Sequence, residues 1–183
     1  MKANRKLTYE ELKKKSQSVE SLKLLEKLPV FGVIENVRSL LNVGAIFRTA
    51  DALRIEKLLL TGYTGKPPRT EIDKVALGAV DSVVWEGYNT SIEAVRILKG
   101  KNIPVIALEQ TVDSVEFEEF EYEFPTAIVL GNEYDGILQE TLDECDHCVH
   151  IPMLGIKQSL NVSTAFGVIG YEILKQYRKK FDI

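Results

Sequence analysis

The stretch Ala127-Ile128-Val129-Leu130-Gly131-Asn132-Glu133-Tyr134-Asp135-Gly136 decides the fold. Four apolar residues run together and then break into a loop that holds two glycines. A run that short and that uniformly apolar suits a strand covered on both faces, as in a parallel sheet packed between helices. Working outward, similar short apolar runs recur at 30–34, 57–61, 82–85, 103–108 and 148–151. Between them the periodicity changes to that of helices. Thr8 and Glu11 predict a capping box that opens a helix reaching about Lys27, and Thr90 and Glu93 predict another reaching about Lys99. Segments 42–53, 71–78, 137–145 and 160–179 also read as helical. Alternation of this kind predicts an α/β layered domain with a parallel sheet. Pro67-Pro68 reads as a surface loop, because proline removes a donor and restricts its neighbour.

The composition agrees with one domain. The chain has 183 residues, 45% hydrophobic and 27% charged, which excludes a disordered or collagen-like polymer and is enough for one core. No apolar stretch reaches the roughly 18 residues that span a bilayer. The charged start MKANRKLTYEELKKK lacks the apolar stretch of a secretory signal. Two cysteines imply no disulfide framework, so the expected compartment is a reducing cytoplasm.

Charge is unevenly placed. The net charge is −4, yet residues 1–29 hold eight Lys/Arg against four Glu, or +4. Lys175, Arg178, Lys179 and Lys180 close the chain, and residues 109–124 carry seven acids and no base. The average gives no support for nucleic-acid binding, but the two termini supply local positive surface. The plain alternative is solvated helix faces.

Ligand sites of α/β sheets lie in the loops at the carboxyl ends of strands. The 131–136 loop is neither a P-loop nor a dinucleotide fingerprint, since no Gly-Lys-Ser/Thr and no G-x-G-x-x-G is present. The 152–163 loop opens a helix among small polar residues, where Ser159 or Asn161 would serve as cap. Ile151, Met153, Leu154 and Leu160 would give a bound ligand apolar cover. In the segment after the first strand, Asn42 and Arg48 lie on one helix. Arg48 sits among Ala, Ile and Phe, so it calls for a partner or an anionic ligand, with an ion pair to Asp51 as the structural alternative. Cys145, His147, Cys148 and His150 fall within six residues without a second knuckle, so no metal site is expected.

Three segments together resemble the motif set of the SpoU/TrmH-type RNA 2′-O-methyltransferases of the SPOUT superfamily. They are NVGAIFRTADA (42–52), IVLGNEYDGI (128–137) and IPMLGIKQSLNVSTAFGV (151–168). The resemblance runs from about Phe31 to the C-terminus. One difference is Arg38-Ser39-Leu40-Leu41, where many members carry a proline. The resemblance implies a parallel-sheet SPOUT fold whose C-terminal part forms a deep trefoil knot, with S-adenosylmethionine as methyl donor. It implies donor contacts at Gly131, Ile151, Met153 and Leu160. It also implies a catalytic set of Arg48, Asn42, Glu133, Ser159 and Asn161, with Asn42 and Glu133 orienting Arg48 or the backbone near it. Arg48 is read as a phosphate clamp and alkoxide stabiliser rather than a base, because guanidinium stays protonated in proteins.

The expected organisation is a basic helical extension at 1–29 and a methyltransferase domain at 30–183. The expected protein is a cytoplasmic homodimer without metal or membrane, acting on tRNA or rRNA, with tRNA slightly favoured. The competing readings are a base-nitrogen methyltransferase of the same fold and an idle donor- or RNA-binding protein. A dinucleotide oxidoreductase is disfavoured by the missing fingerprint.

Overall fold

A computed structural model describes residues 5–15 and 26–183. In chain order its elements are α1 Tyr9–Lys15, β1 Leu28–Glu35, α2 Leu40–Leu53, β2 Ile55–Thr61, α3 Thr70–Ala76 and α4 Ala79–Ser82. They continue with β3 Trp85–Tyr88, α5 Ser91–Lys99, β4 Val105–Leu108, β5 Val115–Glu116 and β6 Thr126–Leu130. The chain closes with α6 Gln139–Leu142, β7 His147–His150 and α7 Val162–Phe181.

The seven strands form one sheet of order β3-β2-β1-β6-β4-β7-β5, and every pairing is parallel. Alternate side chains feed two cores. Ile34, Ile106, Ile128 and Leu130 join the face that meets Phe47 of α2 and Phe166 and Ile169 of α7. Val33, Val105, Ala107, Ala127 and Val129 join the other face with Ala94, Val95 and Leu98 of α5. Both faces are therefore dry, which is why the strands read as unbroken apolar runs.

The expected 82–85 strand is displaced. Asp81 and Ser82 finish the short α4, and pairing with β2 begins only at Trp85. The 148–151 run pairs one residue earlier than expected, over His147–His150. The two-residue β5, in a polar acidic stretch, carries no apolar signal and was not expected. The expected helix at 137–145 shrinks to the four residues of α6.

The Thr8–Glu11 box is made in both directions, Thr8 N–H to Glu11 at 2.7 Å and Glu11 N–H to Thr8 Oγ1 at 3.3 Å. Residues 16–25 of the expected helix to Lys27 lie outside the described residues, and Glu26 and Lys27 are not helical. Among the described residues no helix is long and apolar enough to cross a membrane.

Candidate active site

The carboxyl ends of β6, β4 and β7 are adjacent in the sheet, and a cavity of about 610 Å³ opens there, walled by Leu130, Leu108 and His150 at those ends. Its mouth is built from the 131–137 and 151–162 loops. Seven of the nine residues nominated from sequence line it: Gly131, Glu133, Ile151, Met153, Ser159, Leu160 and Asn161.

The first loop is a tight hairpin. Asn132 N–H donates to Gly136 O at 2.9 Å and Gly136 N–H to Asn132 O at 3.1 Å. A Cβ on Gly131 would collide with the Gly136 backbone, so this glycine is required by the hairpin itself before any ligand arrives. Two carboxylates from strand ends hold the far side of the loop. Glu109 accepts from Ile137 N–H at 3.0 Å. Glu35, 1% exposed, accepts from Leu138 N–H at 3.0 Å and from Thr141 Oγ1 at 2.6 Å. Sequence reasoning missed both. The available signal was an acid directly after an apolar strand run, at Glu35 and again at Glu109.

Asn42 of the first motif joins Glu133 of the second to Asn161 of the third. The Glu133 carboxylate accepts from Arg38 N–H at 3.2 Å, Ser39 N–H at 3.1 Å and Asn42 Nδ2 at 2.9 Å. Asn42 Oδ1 accepts in turn from Asn161 Nδ2 at 3.0 Å. Asn161 also caps α7, its Oδ1 accepting from Ser163 N–H at 3.0 Å. A carboxylate over the start of α2 suits the positive end of the helix. Burial works to raise the Glu133 pKa, but the hydrogen bonds from Asn42 and from backbone N–H groups outweigh it, and the group titrates below its ordinary value. Ser159 is exposed on the cavity wall and makes no hydrogen bond among the described residues.

Arg48 departs from expectation. It is exposed, because Val43, Ile46, Phe47 and Ala50 form the buried face of α2 and position 48 turns away from them. The burial argument from its apolar neighbours therefore does not hold. The alternative ion pair is not made either, since Asp51 accepts from Ser82 Oγ at 2.5 Å. Arg48 carries no hydrogen bond or ion pair among the described residues and does not line the cavity. Asn42 and Glu133 secure the start of the helix that carries Arg48, not its guanidinium.

The Cys145 thiol is pushed up to about 12 by burial and then by the neighbouring Cys148 and acids, and it donates to Thr141 O at 3.2 Å. That makes it an inert core thiol. His150 Nδ1 lies 3.0 Å from Ser114 Oγ at the cavity wall. The cavity is lined by three acids, Glu109, Glu133 and Asp135, together with His150, and by no lysine or arginine.

A family model described as the SpoU rRNA Methylase family matches residues 29–171. A tRNA (guanosine(18)-2'-O)-methyltransferase of Escherichia coli K12 is 38% identical over 143 residues, which are 78% of this chain and 62% of that relative. The chain thus spans less than two thirds of that relative's length. Among solved structures, the A. aeolicus TrmH/SpoU tRNA modifying enzyme superposes with a TM-score of 0.81 at 30% identity, covering 89% of this chain and 84% of that one. An AdoMet-bound rRNA methyltransferase from Sinorhizobium meliloti superposes with a TM-score of 0.76 at 27% identity, covering 84% of this chain and 59% of that one.

Proposed function

Since the chain belongs to the SpoU rRNA methylase family, we propose that it transfers a methyl group from S-adenosylmethionine to a ribose 2′-hydroxyl of RNA. The observation that carries this reading is the cavity at the carboxyl ends of β6, β4 and β7. It gathers seven of the nine residues nominated for donor and chemistry. Its acidic lining also suits the ligand. Three carboxylates and a histidine without a lysine or arginine favour a sulfonium and an ammonium over the phosphates of a dinucleotide. Gly131, Ile151, Met153 and Leu160 would hold the donor, with Ile151, Met153 and Leu160 as apolar cover and the turn at Gly131 presenting backbone groups. The donor supplies a methyl group made electrophilic by its sulfonium.

The chain's own residues bind and align. Glu133, Asn42 and Asn161 lock the two cavity loops to the start of α2, which fixes the wall against which a ribose would rest. Arg48 stays charged and, on this reading, grips an RNA phosphate and stabilises the developing alkoxide. Ser159 is free to contact the incoming ribose or the donor.

The proposed active unit is a homodimer. Arg48 lies outside its own chain's cavity, on the same helix as Leu41, which is 58% exposed. Leu154 and Ile156 are each 99% exposed and Tyr171 is 55% exposed, an apolar surface that calls for cover. A trefoil knot closing after Ile151 belongs to the same proposal. It is supported by β6 and β7, which insert between earlier strands, and by Gln110 Nε2 donating to Gln158 O at 2.5 Å across the two loops. Residues 1–29 are proposed as a basic RNA-binding extension of the domain at 30–183, although β1 already begins at Leu28. The substrate favoured is tRNA, in the cytoplasm.

The deciding experiment incubates the protein with labelled S-adenosylmethionine and either bulk tRNA or rRNA, and identifies the product nucleoside by mass spectrometry. A 2′-O-methylated nucleoside is expected. A base-methylated nucleoside would replace this reading with the base-nitrogen one, and donor binding without transfer would leave an idle binder.

A further inference from the structure

Two aromatic rings stand exposed beside the 131–136 loop. Tyr63 is 59% exposed in the turn after β2, and Tyr134 is 86% exposed in the loop itself. Their backbones are unusually well fixed for surface residues. Asn132, only 8% exposed, donates from Nδ2 to Tyr63 Oη at 3.0 Å and to Asn36 O at 2.8 Å. Its Oδ1 accepts from Tyr134 N–H at 2.8 Å and Asp135 N–H at 3.1 Å.

Asn36 completes the arrangement by accepting from Tyr63 N–H at 3.2 Å. The same Asn36 side chain fills the space a Cβ would need on Gly62, whose φ is +60°. Thr64 ties the turn to the end of β1, donating to Ile34 O at 2.9 Å and accepting from Val37 N–H at 3.0 Å. One buried asparagine thus bonds to both aromatic residues, Tyr134 on the cavity wall and Tyr63 beside the loop. Positive charge lies next to them. Arg38 is exposed and follows Val37, and Lys66 Nζ reaches Gly62 O at 3.4 Å. Neither forms an ion pair among the described residues. The Glu133 carboxylate nearby is occupied by its three donors, while Asp135 remains exposed.

We infer that Tyr63 and Tyr134 form a stacking platform for unstacked RNA bases flanking the methylated ribose, with Arg38 and Lys66 on the adjoining phosphates. This deepens the methyltransferase reading and rests on it. Single-stranded or splayed RNA is recognised by aromatic faces and backbone cations, and the Tyr63 ring, already held through its hydroxyl, loses little entropy on stacking. The platform selects RNA whose target nucleotide lies in a loop, not in a continuous helix.

A structural role is the competing explanation for Tyr63, since its hydroxyl also completes the bonds of Asn132. Tyr63→Phe keeps the ring and loses that bond, whereas Tyr63→Leu loses both. The full chain and its Tyr63→Phe, Tyr63→Leu and Tyr134→Leu variants would be compared for KM with bulk tRNA and for S-adenosylmethionine Kd. A hairpin-loop oligoribonucleotide carrying 2-aminopurine would report stacking by its quenching.

The expected result is a KM for tRNA raised about tenfold in each leucine variant, a typical loss for one stacked base. Tyr63→Phe should return to within about threefold of wild type, with donor Kd moved less than twofold in both Tyr63 variants. Quenching should be weaker with both leucine variants. Wild-type KM in Tyr63→Leu, or an equal loss in Tyr63→Phe, would overturn the platform. If wild type methylated neither tRNA nor rRNA, the enzymatic reading would fail, and the quenching comparison would still decide stacking.

Discussion

Glu133 receives hydrogen bonds from Asn42 Nδ2 and from the N–H groups of Arg38 and Ser39, and these bonds hold its pKa below the ordinary value. A carboxyl whose folded pKa is depressed contributes stability that is fully present above its unfolded value of about 4.3 and fades as pH falls through the folded one. Glu133→Gln should therefore lower Tm at pH 7, and the gap to wild type should narrow as pH is taken from 5 towards 3. A gap that stays constant across that range would remove the linkage. Arg48 is a different case, since none of the described residues engages it. If it grips phosphate by a two-pronged contact that lysine cannot reproduce, Arg48→Lys and Arg48→Ala should each lower single-turnover rate by about 100-fold, with donor affinity kept. Rates from pH 7 to 10 test the clamp against a base, because recovery of the lysine variant at high pH would favour the base.

At the scale of elements, the first motif serves packing as well as chemistry. A Cβ on Gly44 would lie 2.6 Å from Ile72 O and 2.9 Å from Val75 Cβ, so the glycine sets how closely α3 approaches α2. Backbone cannot yield as a flexible side chain can. Gly44→Ala should cost about 1–3 kcal/mol through overpacking and lower Tm by several degrees, while leaving donor affinity within about twofold. Unchanged Tm would mean that the two helices slide apart freely. The final helix shows the same dependence on packing: Val162, Phe166 and Ile169 are buried in the chain's own core, while Tyr171 is 55% exposed. Leu174 packs against the same core. Helical periodicity reports an apolar stripe and says nothing of which surface covers it.

For the whole molecule, the exposed apolar side chains at Leu41, Leu154 and Ile156 predict self-association. Sedimentation at micromolar concentration should return about twice the 20.6 kDa chain mass, and a species of chain mass would exclude the dimer. The net charge of −4 is opposed by the basic residues of the two termini. RNA affinity should fall steeply with salt, because each phosphate contact releases counterions. Removing residues 1–27 should weaken RNA binding and spare donor binding. Equal RNA affinity in the truncated chain would refute the role given to the extension.

Much of this protein was legible in its sequence. Short apolar runs give the parallel sheet because both sheet faces are dry, and that requirement is written in each strand separately. The Thr8–Glu11 and Thr90–Glu93 caps and the Asn161 cap are local too, since donor and acceptor lie within a few residues. The three loop motifs marked the cavity because parallel strands put their carboxyl-end loops on one edge. What tertiary structure alone decided is which distant groups meet. Glu35 reaches Thr141, and Glu133 reaches Asn42, across separations of 106 and 91 residues. Tyr63 and Asn132 are 69 residues apart. The order β1-β6-β4-β7 sets such pairings, and order depends on how whole elements pack. The exposure of Arg48 follows likewise from which face of α2 the sheet and α3 cover, a property no local window contains.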